Sequence, residues 1–581
     1  MERPTRLSQS VRFGPFELEV QSGELRKDGV KIRLQEQPFQ ILLLLLEYPG
    51  QVVTREAFRR RLWPSDTFVD FDHGLNKAVT KLREALGDSS ENPQFIETLA
   101  KRGYRFIGRT AAITDLPEAG QSIDSIAVFP FESDSPDPDS GYLAIGIPGS
   151  IIHSLSQIPK LRVISGRTAV GDGHPQMDPL AIGRKLGVKA VLTGKLWQRE
   201  SKLRLHVDLL NTANGQEIWG EQYDRQLKQI FEVHDEISHE VSQRLRLKMT
   251  GEAEGRLTKR YTENIEAYQL YVRARRWCEK RSAEGFKRAT EYLSQAIQMD
   301  PDYALAHAEL AQCISVPCYY GVADPHMAYP KARAAALRAL EIDPRLAEAH
   351  EVLATILQNY DWNWPAAEKE YKQTIELNPS YAVGHYHYSY HLALLRHFDE
   401  AIREATEALS HDPMSGILNA GLAFVLLLAR RYDACIEQAL TAIEVEPNMT
   451  LCYITLGTAY EQKGMYADAV TTYEKGIALG GAFAVQRAYA GHVYGVSGDR
   501  IKAGEILREL KELSSRSYVG SLNWALVYEG LGEKELAIGA LQKACEDRHT
   551  ICVFIGTWPQ FDRLRDDPRF QDIERRVGLR K

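Results

Sequence analysis

The sequence predicts a multidomain chain, with an α+β domain at the N-terminus, an α/β domain in the middle and an all-α repeat array at the C-terminus. Three observations predict it. Between Asp70 and Gly108, a run of helical periodicity leads into two short alternating runs joined by a basic turn. Between Ser125 and Tyr223, apolar strand-like runs alternate with helix-like ones. From Ile265 onward, prolines and small residues recur at intervals of 34.

The N-terminal domain is legible element by element. Arg12-Phe13-Gly14-Pro15-Phe16-Glu17-Leu18 and Lys31-Ile32-Arg33-Leu34 alternate like strands around turn residues. Gln37 to Gln40 opens an apolar helix running through Ile41 to Leu46. Past Gly50, Thr54 is placed as the N-cap of a second helix, Arg55 to Leu62. A third helix, from about Phe71 to Leu86, sets Leu75, Val79, Leu82 and Leu86 within one narrow arc at 100° per residue. Lys77, Thr80, Lys81 and Glu84 fall opposite, Asn76 and Arg83 flank them, and Gly87 ends the helix. Phe95 to Leu99 and Gly103 to Phe106 then read as two strands about a basic turn. A basic helix beside a basic hairpin suits a reader that puts one element in the major groove and another on the flanking backbone.

Residues 11–108 resemble the winged-helix DNA-binding domain of OmpR/PhoB type, with Leu82-Arg83-x-x-Leu86-Gly87 and Gly103-Tyr104-Arg105-Phe106 at that family's spacing. The resemblance implies that the third helix enters the major groove and that the turn at Lys101 and Arg102 rests on a minor groove or phosphate. Asn76, Lys77, Thr80 and Lys81 are the first candidates for base-edge or phosphate contact, since Asn pairs with adenine and Lys with guanine acceptors or phosphate. The plainer alternative is a solvated polar face. Arg83 is open between a phosphate contact and a structural pairing, His73 ranks last among the contacts, and Tyr104 and Phe106 read as core of the wing.

Composition bounds the remainder. A chain of 581 residues holds several domains. Its net charge of −7 argues against a protein that coats nucleic acid generally. Residues 1–110 hold 18 Lys and Arg against 15 Asp and Glu, so that stretch is +3 and the rest −10. A local positive module on an acidic body suits a site-specific binder. The first ten residues are polar, no run reaches the length of a membrane helix, and the seven cysteines form no CxxC pair. A cytoplasmic protein with reduced thiols and no membrane partner is expected. No phosphoacceptor receiver precedes the winged helix, so control by aspartate phosphorylation within the chain is not expected.

After a linker at 111–121, residues 122–250 read as α/β. Strands are expected at Ser125–Phe131, Leu161–Ser165 and Ala190–Gly194, and an antiparallel pair at Lys202–Leu210 and Gln216–Tyr223 about Asn214-Gly215. Helices are expected at Tyr142–Leu155, Pro179–Leu186 and about Leu227–Leu247. This region resembles, less specifically, the amino-terminal α/β domain of TolB-like proteins. Gly141, Gly146 and Gly149 lack the Gly-Lys-Ser/Thr ending of a phosphate loop and are explained by helix starts and turns.

Residues 262–548 repeat. Pro379, Pro413 and Pro447 are 34 apart, as are Ser389, Ala423, Gly457, Gly491 and Ala525, and again Ala401, Cys435, Ala469, Ala503 and Ala537. This is the tetratricopeptide period, and the region resembles such an array of about eight helix-turn-helix units whose concave face binds a protein or peptide. The step from Pro301 to Pro344 is nine residues longer, placing an insertion near Val316 to Pro330, and the step from Pro344 to Pro379 is one longer. Residues 549–581 leave the register and read as a cap. His387 and His391 are one helical turn apart, but His307, His350 and His385 share one repeat position, which favours packing over a metal site.

The expected function is a one-component, sequence-specific transcriptional regulator that binds promoter DNA and senses a ligand or recruits a partner through its later domains, with homo-oligomer formation open. No catalytic constellation, cofactor or metal is expected. The alternative is a tetratricopeptide scaffold whose winged helix binds protein.

Overall fold

The computed structural model describes residues 10–13, 16–19, 24–27, 30–32, 34–62, 71–90, 93–99, 102–108, 110–112, 123–133, 142–158, 161–166, 178–199, 202–245, 260–321, 323–480, 484–516 and 518–580. It comprises two compact units, Met1–Ser122 and Ile123–Lys581.

In the first unit, strands β1 (Ser10–Phe13), β2 (Phe16–Glu19), β3 (Glu24–Lys27), β4 (Val30–Ile32) and β8 (Thr110–Ala112) form an antiparallel sheet of order β4-β3-β2-β1-β8. Thr110–Ala112 falls at the start of the stretch expected as linker. It is drawn into the sheet because β1 otherwise presents an unpaired edge, and Arg12 faces Ala111 there. Helices α1 (Glu36–Glu47), α2 (Arg55–Leu62) and α3 (Phe71–Leu86) follow, with β5 (Val52–Thr54) pairing β7 (Gly103–Phe106), which pairs β6 (Ile96–Leu99). The Thr54 hydroxyl accepts from Ala57 N–H at 3.2 Å, the N-cap the sequence predicts. Phe13, Phe16, Phe95 and Phe106 interlock beneath both sheets, with ring centroids of Phe13 and Phe106 5.2 Å apart.

In the second unit, β9 (Ser125–Val128), β11 (Arg162–Ser165) and β12 (Ala190–Arg199) are parallel, while β13 (Lys202–Asn211) and β14 (Glu217–Gln226) continue antiparallel, giving the order β11-β9-β12-β13-β14. Strand β10 (Glu132–Ser133) pairs β12. Alternate residues of β9 face opposite ways. Ala127 packs with Ile164 and Ile182 of helix α5 (Pro179–Lys185). Ile126 and Val128 face helices α4 (Tyr142–Ser156) and α6 (Ile230–Arg244). That second face belongs to one apolar core running from Ile123 through Leu245 to Tyr268, Tyr271, Leu293, Tyr303 and Cys313. The α/β region and the first repeats therefore share a core. Gly146 marks the contact, because a Cβ there would lie 2.6 Å from Val272 Cγ1. It allows close helix approach inside α4, not a helix start; Gly141 lies outside the described residues.

Eight helix pairs follow among the described residues. They are 265–279 with 283–299, 304–319 with 325–342, 347–356 with 364–377, 382–394 with 398–411, 416–428 with 432–445, 450–462 with 466–480, 484–497 with 500–514, and 521–530 with 534–546. The small residues in 34-residue register are buried where backbones approach; at Gly457 a Cβ would lie 2.5 Å from the Tyr473 ring. The insertion lengthens Ala304–Tyr319 and Pro325–Ile342, and the single extra residue is taken up by a π-helical turn, Leu357–Asp361.

The repeating histidine position has a defined task. His307, His350 and His385 each place Nε2 2.9–3.0 Å from the carbonyl oxygen of the proline six residues earlier. Asn419 Nδ2 and Tyr453 Oη donate to Pro413 and Pro447 in the same way. Each side chain satisfies a carbonyl the turn leaves unpaired. Of the pair one turn apart, His387 contacts Glu351 Oε1 at 2.5 Å and His391 contacts Gln358 Oε1 at 3.0 Å.

A second periodic position lies in the turn inside each pair, where Trp362, Arg396, Arg430, Gly464, Gly498 and Gly532 stand 34 apart and all have positive φ. The two arginines reach the C-terminal segment. Arg396 donates to Gly556 O at 3.0 Å, and Arg430 to Thr557 O and the Asp562 carboxylate at 2.8 Å. The segment also meets Tyr329 Oη through Thr550, Glu529 through Arg563, and Trp364 Nε1, which donates to Val577 O. Phe554 and Trp558 pack on Phe424, and Trp558 stacks on Tyr489. Residues 550–564 thus lie along the face made by the first helices of successive pairs, beyond what capping the last pair requires.

Candidate nucleic-acid interface

Helix α3 buries Leu75, Val79, Leu82 and Leu86 and exposes Asn76, Lys77, Thr80 and Glu84, with Lys81 and Arg83 half-buried. Gly87 adopts φ +64°, and Asp88 N–H donates to Arg83 O at 2.9 Å, closing the helix. The Asp88 carboxylate then accepts from the backbone N–H groups of Gln94 at 2.7 Å and Ile96 at 2.8 Å. It ties the end of the helix to the start of the wing.

Asn76, Thr80, Lys81 and Arg83 each have hydrogen-bond partners. Asn76 Oδ1 accepts from Arg55 Nη2 at 3.0 Å and Tyr104 Oη at 2.8 Å. Arg55 Nε donates to Asp72 Oδ1 at 2.7 Å; burial works against the arginine's charge, and Asp72 and Tyr104 together outweigh it, raising the pKa. Thr80 Oγ1 donates back to Asn76 O at 3.0 Å, and Lys81 Nζ donates to Gln35 Oε1 at 2.7 Å. Arg83 turns the other way, donating through Nη2 to Ile96 O at 2.6 Å and Thr98 Oγ1 at 2.8 Å, so it fastens the wing strand to the helix.

The wing depends on one glycine. Gly103 has φ +150°, and a Cβ there would lie 2.0 Å from Val53 O, so only glycine lets β7 pass this close to β5. The exposed Arg102 sits in the turn, its N–H donating to Leu99 O at 2.9 Å and its carbonyl accepting from Arg55 N–H at 3.2 Å. Tyr104 and Phe106 are buried. Lys101 and the His73 side chain lie outside the described residues.

The structure thus gathers Asn76, Lys77, Thr80 and Lys81 along one helix, sets Arg102 in the turn and directs Arg83 inward. Sequence reasoning passed over Arg55, the clamp on Asn76, and the exposed Arg59, Arg60 and Arg61 of α2, although that arginine run was its own signal. Among the described residues of the second unit, Cys278, Glu309 and Cys313 bring three ligand-type atoms within 4.8 Å of one another. The hydrogen bond with Cys278 and burial push the Cys313 thiol well up.

Known proteins resemble parts of this chain. Residues 29–106 match the family described as "Transcriptional regulatory protein, C terminal". Transcriptional regulator HilA of Salmonella typhimurium is 22% identical over 415 residues, 69% of this chain and 70% of its own. A Rhizobium meliloti protein named "Putative adenylate cyclase 3" is 35% identical over 187 residues, so the chain spans 32% of that relative's length. The solved Klebsiella pneumoniae RstA DNA-binding domain in complex with RstA box is 25% identical, covering 17% of this chain and 98% of that one at a TM-score of 0.16. The N-terminal unit therefore carries the DNA-binding winged helix of OmpR/PhoB-type transcriptional regulators. The helical array that follows it consists of helix pairs repeating at the 34-residue tetratricopeptide period. No helix among the described residues is long and apolar enough to cross a membrane.

Proposed function

We propose that this chain is a one-component transcriptional regulator working in the cytoplasm, not an enzyme. Residues 1–110 bind promoter DNA, 122–250 and 262–548 form the sensory or protein-binding part, and 549–581 close the array. The observation that carries the reading is the α3 face. Asn76, Lys77 and Thr80 stand exposed on a helix whose opposite side is wholly buried, and Arg102 is exposed in the turn beside it. In this reading α3 lies in a major groove, Arg102 and Lys101 meet the backbone, His73 stands at the edge of the contact, and Arg59 and Arg60 of α2 approach a phosphate.

The test is binding of the full chain to fragments of its source genome across a salt series. A specific fragment should be held at low salt, with log affinity falling linearly in log salt. Failure to shift any fragment at low salt would overturn the reading in favour of a scaffold whose winged helix binds protein.

A further inference from the structure

Within the array, the C-terminal segment roofs a cavity of about 170 Å³. Its walls are aromatic and come from distant repeats: Tyr386 and Tyr390 from the fourth pair, Phe424 from the fifth, Tyr489 from the seventh, and Phe554 and Trp558 from the segment itself. The rings are arranged in contact, with Tyr390 and Phe424 centroids 5.3 Å apart, Phe424 and Phe554 5.3 Å, and Tyr489 and Trp558 5.9 Å.

Three side chains that can carry charge line this space, Arg281, Glu351 and His387. Glu351 lines the cavity and is 1% exposed. Its Oε1 accepts from Thr355 Oγ1 at 2.9 Å and meets His387 Nδ1 at 2.5 Å, while its Oε2 has no hydrogen-bond partner among the described residues. Gln486 Oε1, another lining acceptor, is likewise without one. A buried carboxylate oxygen without a donor is costly, and a cation-bearing donor compensates it best. Aromatic faces attract the same cation. A cavity of ~150 Å³ accommodates benzene, so this one has room for a single ring with a short chain. The arginine on its wall, Arg281, lies toward Tyr320, to whose hydroxyl it donates at 3.4 Å.

We infer that this cavity is a binding site for a small aromatic amine, whose ammonium group pairs with the buried Glu351 carboxylate while its ring fills the space between Tyr390, Phe424 and Trp558. An open array of this type presents a peptide groove. Here the chain's own segment closes part of that face and converts it into a small-molecule pocket, and the ligand touches the segment that closes it.

Calorimetric titration of the full chain without DNA tests this, with 2-phenylethylamine as probe and 2-phenylethanol and phenylacetate as its neutral and anionic counterparts. The amine should bind one to one, at least tenfold tighter than the alcohol, with phenylacetate weakest. Glu351→Gln retains acceptors for Thr355 and His387 and should bring the amine to the alcohol's affinity without changing the alcohol's. Ile454→Trp, which fills the cavity from another wall, should abolish binding of both while the thermal melt stays cooperative. Equal affinity for amine and alcohol, indifference to Glu351→Gln, or no binding of the amine at millimolar concentration would each overturn the assignment. Because DNA is absent, such a failure leaves the DNA-binding proposal untouched.

Discussion

Arg55 holds Asn76 by its side-chain oxygen at 3.0 Å, across 21 residues of sequence. With Tyr104 donating to the same atom, Asn76 has its acceptor engaged and offers its NH2 group outward. An asparagine fixed this way presents donors only, and the two-point pairing with adenine needs both a donor and an acceptor. Asn76→Asp keeps the Arg55 contact but removes the outward donor. It should weaken specific DNA binding by ~1–3 kcal/mol, about fivefold or more, without lowering the melting temperature. Unchanged affinity in a fluorescence-anisotropy titration would remove Asn76 from the reading face.

Lys77 and Lys81 differ in what they hold. Lys77 is exposed on α3, while Lys81 is half-buried and donates to Gln35. If each meets a phosphate, Lys77→Ala and Lys81→Ala should each flatten the slope of log affinity against log salt by about one. A slope equal to that of the unaltered chain assigns the lysine to the solvated face instead.

Gly103→Ala sets a methyl group against Val53 O, where the ideal Cβ stands 2.0 Å away. The overlap should cost about 2–4 kcal/mol by forcing β7 off β5. Gly87→Ala, at φ +64° with nothing within 4 Å, should cost only ~1 kcal/mol. Calorimetry resolves the two, and equal shifts of the first transition would mean the wing glycine is not sterically required.

His492 is buried with Nε2 2.7 Å from Glu529 Oε2 and Nδ1 3.0 Å from Glu461 Oε1. Burial opposes its charge, but Glu461 and Glu529 outweigh it and raise the pKa from 6.5 to about 9. The resulting stability is complete below about pH 6.5 and is lost as pH rises toward 9, a change on the order of 3 kcal/mol. Denaturant unfolding of the native chain should weaken across that window relative to His492→Gln, and parallel pH profiles would refute the charged state.

Arg396 and Arg430 adopt positive φ at a position where three later repeats have glycine. Replacing both by glycine relieves the backbone and removes four hydrogen bonds to the C-terminal segment, on Gly556, Thr557 and both oxygens of Asp562, with the Arg396–Glu574 ion pair. Hydrogen exchange should then rise in residues 550–564 and stay unchanged in the helices 382–394 and 416–428. Unaltered protection of the segment would show that its docking rests on the remaining contacts, through Tyr329, Trp364, Arg563 and the aromatic rings.

What the sequence disclosed follows from how local each signal is. Leu75, Val79, Leu82 and Leu86 specify the buried side of α3 by spacing alone, and Thr54 marks its neighbour's start within three residues. The 34-residue recurrence of Ala423, Gly457 and Gly491 repeats one packing requirement and is audible without coordinates. Arg83 carried two readings, and only the position of Ile96 O distinguishes them. The shared core behind Gly146 and the docking of residues 550–564 depend on partners 120 to 220 residues away, such as Val272 and Tyr329, which leave no periodic trace. The interior cavity is of the same kind, assembled from successive repeats and the docked segment, from Arg281 to Trp558.

That docked segment alters how the array fails. An open stack of repeats is held only between neighbours and loses its ends one unit at a time. Here Thr550 is bonded to Tyr329 in the second pair, Val577 to Trp364 in the third and Arg563 to Glu529 in the eighth. Melting the last unit withdraws contacts from the second and third, so the chain from Pro325 onward is closed to fraying and should unfold in a single step.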